Sequence, residues 1–207
     1  MIKDIHTHLF PKEPGSALVC IGTDAGLLAD CHPLSAGLHP WYVTGQDSRS
    51  LSLLDSLAFD PRVLAIGECG FDRLKGASID LQEKAFMYQF ELSERASKPM
   101  ILHVVREFDR ILSLKKQLKP TQPWLIHGFR GGSVQAAQLM GAGFEISLGA
   151  QANPETVCSV PAGRLFLETD GKTDIESVIK RVSELRETGT DELTAVITRN
   201  VSLFLNI

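Results

Sequence analysis

The sequence predicts an α/β protein, a compact TIM (β/α)8 barrel. Three observations predict it. Eight short apolar runs recur along the 207 residues, most of them separated by stretches with helical apolar spacing. Strands alternating with helices form a parallel sheet, and eight of them imply closure into a barrel, near the lower size limit of that fold. Ligand-type side chains gather at the ends of these runs, where barrel proteins carry their chemistry. A doubly wound open sheet is the alternative. Its first strand–helix turn usually carries a Gly-rich phosphate-binding fingerprint, which the turn from Leu9 to Ser16 lacks.

The eight runs cover residues 2–8, 17–23, 35–40, 62–68, 99–105, 123–129, 144–150 and 164–170. Residues 9–16 hold Pro11, Pro14 and Gly15 and read as a loop. Leu51, Leu54 and Ala58 share a helical face, widened by Leu53 and Leu57, and predict a helix over 48–59. Leu81, Ala85, Tyr88 and Leu92 do the same over 78–97. Further helices are expected over 106–118, 133–141, 174–186 and 190–205. With no linker, repeat or low-complexity tract, residues 1–207 read as a single domain.

Hydrophobic residues make up 43% of the chain and charged residues 22%, an ordinary globular composition. The net charge of −4 excludes a general polyanion binder, so a nucleic-acid substrate would need a local basic patch. No apolar run reaches the roughly 20 residues of a membrane span. The opening MIKDIHTH has no charged-then-apolar leader. A soluble, cytoplasmic protein without a membrane partner is expected. Cys20, Cys31, Cys69 and Cys158 form no CxxC pair, so reduced thiols are the default.

Six ligand-type residues stand near five strand ends: His6, His8, Glu68, His103, His127 and Asp170. Charged groups are rarely buried unless paired or bound to metal. His6 and His8 project from one face of the first strand and can share a divalent cation. Asp4 faces the same way and reads as a hydrogen-bonding support for them. Glu68 follows an apolar run, and its two carboxylate oxygens can bridge two cations. Cys69 points the opposite way and reads as packing. His103 ends PMILH and His127 ends PWLIH, two similar strand patterns that supply nitrogens to a second metal. Asp170 closes LFLETD, with Glu168 on the same face in a supporting or interior role. No GxSxG elbow is present, and metal hydrolysis explains more of these residues than Ser/His/Asp or Cys/His catalysis does.

In this order DIHTH, GLHPW, GECGFD, PMILH, HGFRGG and ETD resemble the TatD family of metal-dependent hydrolases, whose members are described as deoxyribonucleases. The motifs run from residue 4 to 170, and the NVSLF segment at 200–204 resembles the family's terminal helix. The resemblance implies a metal-dependent barrel in which His6, His8 and Asp170 hold one cation, His103 and His127 hold the other, and Glu68 bridges them. The chain departs from the family pattern in three places. Arg106 follows His103 by three residues rather than two, Gly171-Lys172 replaces a small residue and proline, and GLHPW replaces a pattern that often carries a second histidine.

The expected activity is two-metal hydrolysis of phosphodiester bonds, as in a deoxyribonuclease acting on single-stranded DNA. The cations would be Zn²⁺, Mn²⁺, Mg²⁺ or Ni²⁺, all compatible with mixed imidazole and carboxylate ligands. Asp170 and Glu68 are the expected catalytic residues, with Asp170 accepting the proton of the attacking water. His39, Arg106 and Arg130 are the expected substrate contacts, and Trp41 and Tyr42 could stack on an unpaired base. The alternatives are a small-molecule amidohydrolase or esterase on the same barrel, and a metal-binding but inactive scaffold.

Overall fold

The structure, a computed structural model, describes residues 1–29 and 32–207. Cys31 lies outside the described residues. Eight strands form one sheet in sequence order: β1 (Asp4–Thr7), β2 (Ala17–Cys20), β3 (Leu34–Ala36), β4 (Val63–Asp72), β5 (Met100–Val105), β6 (Trp124–Ile126), β7 (Phe144–Leu148) and β8 (Leu165–Leu167). The fold class is the predicted (β/α)8 barrel. By contact density the chain divides into two compact units, one of residues 1–19 and 125–207 and one of residues 20–124.

In the first unit, β1 pairs in parallel with β2 and β7 with β8. The last strand returns to the first: β8 packs on β1, and the Asp170 N–H donates to the His6 carbonyl at 3.1 Å. All four residues of β1 are buried, as are the three of β8, the pattern of strands covered on both faces. The link over residues 9–16 is non-helical, as its prolines dictate. Helices α4 (Ser133–Gly141), α6 (Ile175–Arg186) and α7 (Thr190–Leu205) match the predicted segments within a residue, whereas the short α5 (Pro154–Ser159) has no predicted counterpart. That helix is too short for apolar periodicity and is set by its ends: Pro154 opens it, and the Asn153 side chain accepts the Glu155 N–H at 2.9 Å. Helix α7 is tied in by Asn200, whose amide donates to the carbonyls of Ala162 and Leu165.

In the second unit, β3, β4 and β5 pair in parallel and are followed by α1 (Ser48–Leu57), α2 (Ile79–Ala96) and α3 (Phe108–Leu118); α2 packs on β4, α3 on β5 and α1 on α2. Ala85, Phe86, Gln89 and Leu92 form the buried face of α2. The helix ends where Ser97 turns left-handed at φ 54°, and Pro99 follows. Gln89 and Gln82 are buried but satisfied, bonding the backbone at Leu38 and at Asp72. Phe71, Phe86 and Trp124 pack in series, the first pair tilted and the second edge-to-face, with ring centroids 5.0 and 5.5 Å apart. Strand β3 is shorter than the run 35–40, because Pro40 opens a single 3₁₀ turn at Pro40–Tyr42. Among the described residues, no helix is long and apolar enough to cross a membrane.

Candidate metal centres

The first unit brings His6, His8, His127 and Asp170 to one end of its strands. One ligand atom each from His6, His127 and Asp170 lies within 4.8 Å of the others. The His6 ring is fully buried, 4.3 Å from the His127 ring and edge-on to the His8 ring at 4.9 Å. Asp170 Oδ1 lies 3.8 Å from His6 Nε2 and 3.5 Å from His8 Nε2, while its Oδ2 pairs with Lys172. Imidazole nitrogens and a carboxylate at such spacing are a donor set for a transition-metal dication.

Buried carboxylates support this set. Glu168 places Oε1 3.4 Å from His127 Nδ1 and accepts the Ser147 hydroxyl at 2.5 Å. A carboxylate on one ring nitrogen fixes the imidazole's orientation and leaves the other nitrogen for a metal. Burial alone would raise the Glu168 pKa, but the neighbouring His127, His6 and Ser147 hold it below the ordinary value. For Asp170, burial again pushes up, and the bonds from His8 and Lys172 with the charges of His127 and His6 outweigh it, leaving its pKa far below the usual carboxylate range. Asp4 behaves oppositely: burial raises its pKa to about 7 despite the hydrogen bonds it receives from Thr169.

The second unit gathers Glu68, His39 and His103, with ligand atoms again within 4.8 Å. Strand β4 sets this up with a bulge. Ile66 pairs with Met100 but Cys69 pairs with Leu102, so one extra residue is accommodated between them. Gly70, at φ 134°, lies against β5 so closely that a Cβ there would overlap the His103 carbonyl oxygen. Glycine is therefore required beside Glu68 for the strands to approach. Glu68 Oε1 lies 2.7 Å from His103 Nδ1 and 3.0 Å from His39 Nε2. His39 Nδ1 accepts the Trp41 backbone N–H at 3.1 Å, so the ring hydrogen sits on Nε2 and is donated to Glu68. In this state His39 orients Glu68 instead of offering a lone pair to a metal. Cys69 is buried, its Sγ 3.8 Å from the Ile101 carbonyl oxygen, and burial raises its thiol pKa strongly, which suits packing and not nucleophilic attack.

Asp72 belongs to this cluster and is not among the six ligand-type residues expected from the sequence. Its Oδ2 lies 3.2 Å from His103 Nε2 and accepts the Trp41 indole N–H at 2.6 Å, while Oδ1 accepts the N–H groups of Leu74 and Lys75. These bonds and the His103 charge outweigh burial and lower its pKa. The signal was available: Glu68, Gly70 and Asp72 recur with period two on one strand. Arg106, Arg130, Trp41 and Tyr42 are all exposed. Neither arginine is ion-paired among the described residues. Lys75 covers one face of Trp41, with Nζ 3.5 Å from the ring centroid.

A sequence model of the family described as TatD related DNase matches residues 29–206. The chain belongs to the TatD family. It is 33% identical over 147 residues to the 3'-5' ssDNA/RNA exonuclease TatD of Erwinia billingiae, an alignment covering 66% of this chain and 56% of that relative. A second relative, the metal-dependent hydrolase YabD of Bacillus subtilis, is 26% identical over 194 residues, covering 83% of this chain and 76% of that relative. The chain thus spans little more than half the length of the TatD exonuclease. The TatD homologue YJJV of Escherichia coli superposes with a TM-score of 0.81 at 23% identity, over 100% of this chain and 98% of that one. A TatD family hydrolase of Entamoeba histolytica superposes with a TM-score of 0.76 at 15% identity, over 91% of this chain and 83% of that one. Both structures support the barrel fold of this TatD chain.

Proposed function

We propose that this chain is a divalent-cation-dependent hydrolase of phosphodiester bonds, with a single-stranded nucleic acid as substrate. The observation that carries the reading is the paired build of its two donor sets: each joins imidazole to carboxylate, and each has a second, buried carboxylate on the far side of an imidazole. Glu168 plays that part for His127, and Asp72 for His103. Packing alone does not call for that repetition. The relatives named as single-stranded DNA/RNA exonuclease and metal-dependent hydrolase support the same reaction class.

His6, His8, His127 and Asp170 would hold one cation, and His103 with Glu68 a second. Divalent cations there supply Lewis-acid chemistry, acidifying water and offsetting charge that develops on phosphate oxygens. The protein's own groups do the positioning. Glu168 and Asp72 hold the histidines in one tautomer, and His39 fixes Glu68. Asp170 remains ionised and presents Oδ1 towards the His6 and His8 side, where it would orient the attacking water and take its proton. Arg106 and Arg130, uncommitted to any carboxylate among the described residues, would bind phosphate. The purified chain supplied with Mn²⁺ or Zn²⁺ should cleave single-stranded DNA or RNA and a simple phosphodiester. Cleavage of ester or amide substrates alone would establish the small-molecule reading instead. Stoichiometric cation binding with no turnover of any substrate would establish the scaffold reading.

A further inference from the structure

Beside the first donor set is a cavity of about 150 Å³, lined by residues that follow β6, β7 and β8. Arg130, Gln151, Glu168, Asp170 and Lys172 are among its walls. Of its two acidic walls, Glu168 is held by His127 and Ser147, and Asp170 keeps His8 beside Oδ1 whichever partner Lys172 takes. The Arg130 guanidinium, by contrast, has no carboxylate partner among the described residues, and its side chain is exposed at the rim.

Lys172 is brought there by a specific turn. Thr169, Asp170, Gly171 and Lys172 close a four-residue loop through Lys172 N–H to the Thr169 carbonyl at 3.0 Å. Asp170 and Gly171 have φ of 51° and 69°, the positive values of a primed turn. Glycine takes the second position of this turn without strain. The turn folds the lysine back over the preceding carboxylate, so its ammonium pairs with Asp170 Oδ2 and not with the Oδ1 that faces His6 and His8. With its side chain 61% exposed, Lys172 is free to exchange that partner for an incoming anion.

The cavity's size limits what that anion is. About 150 Å³ is well below the roughly 300 Å³ at which pockets begin to enclose drug-sized ligands. A sugar and base together do not fit, and a single tetrahedral oxyanion does. We propose that this cavity is a subsite for one phosphate group, held by the guanidinium of Arg130 and the ammonium of Lys172. The substrate phosphate would enter it while sugar and base stay outside, so the subsite favours chains ending in a phosphomonoester or presenting a phosphate next to the scissile bond. The proposal rests on the phosphodiesterase reading for its biological use, but not for its test.

The test is inorganic phosphate binding to the full chain in chelator, followed by ³¹P line broadening or calorimetry, with no cation and no turnover. Wild type should bind phosphate saturably. Lys172→Ala and Arg130→Ala should each weaken it about fivefold or more, as loss of a charge-assisted hydrogen bond at an exposed site predicts, and Lys172→Arg should restore most of it. Both alanine positions are exposed, so the fold is not at risk. No phosphate binding by wild type, or binding indifferent to both alanine substitutions, overturns the subsite. Lys172-dependent phosphate binding in a chain that cleaves no phosphodiester would leave the subsite standing and remove the phosphodiesterase reading.

Discussion

Asp4 on the first strand and Thr169 just after the eighth are joined by two hydrogen bonds across 165 residues of sequence: the Thr169 N–H donates to Oδ1 at 3.1 Å, and the Thr169 hydroxyl lies 2.6 Å from Oδ2. Oδ1 also accepts the His6 N–H at 3.2 Å. One buried carboxyl therefore holds the backbone of His6 and the turn that carries Asp170.

Burial holds the Asp4 proton until about pH 7, with the Glu168 charge adding and the Thr169 bonds opposing. The unfolded chain releases that proton near pH 3.9. Between the two values the folded state binds more protons, so Asp4's contribution to stability is full below pH 4 and is lost as pH rises through about 7. Urea unfolding of wild type and Asp4→Asn in chelator, at pH 4 and pH 8, should show the stability difference moving against wild type at the higher pH. The expected change is on the order of a few kcal/mol. A constant difference would show that Asp4 titrates normally.

Asp170→Asn keeps the shape of the side chain but loses its charge and basicity. Single-turnover hydrolysis should fall by about 10²-fold or more, and cation affinity should fall with it. Substrate binding measured in parallel should survive in large part, since Arg106 and Arg130 are untouched. Near-normal turnover would take Asp170 out of the catalytic role.

Asp72→Asn and Glu168→Gln leave every proposed ligand in place and remove only the carboxylate behind His103 or His127. Each should weaken divalent-cation binding about 10- to 100-fold. Glu68→Gln should lower bound metal further than His39→Ala, because Glu68 contributes an anionic ligand and His39 only orients it. Elemental analysis after dialysis against a fixed metal concentration compares all four.

Lys172→Ala should act in the opposite direction on cations. The ammonium neutralises one oxygen of Asp170 and repels a nearby dication, so its removal should tighten Mn²⁺ binding by about two- to tenfold. Calorimetric titration reads this directly, and high salt should shrink the difference.

Gly70→Ala tests the approach of β4 to β5. A Cβ would overlap the His103 carbonyl at a φ of 134°, a region open to glycine alone. Loss of about 3 kcal/mol or more is expected, which for a chain of this size lowers Tm by roughly 6 °C or more. Thermal unfolding by circular dichroism would show it.

The strand–helix alternation, six helices placed within about two residues and the face shared by His6 and His8 were all legible in the amino-acid order. They rest on local rules: a period of two or 3.6, prolines that end elements, and glycines at turns. The ligand-type residues stood out for the same reason, since each ends an apolar run. Which carboxylate serves which histidine was not legible. His127 takes Glu168, 41 residues away, and His103 takes both Glu68 and Asp72. Periodicity assigns a face to a residue but not its neighbour on the next strand. The bulge at Glu68, the tautomer of His39 and the return of Lys172 onto Asp170 are likewise settled by packing. Each depends on where a distant backbone or carboxylate comes to rest, and no local pattern records that position.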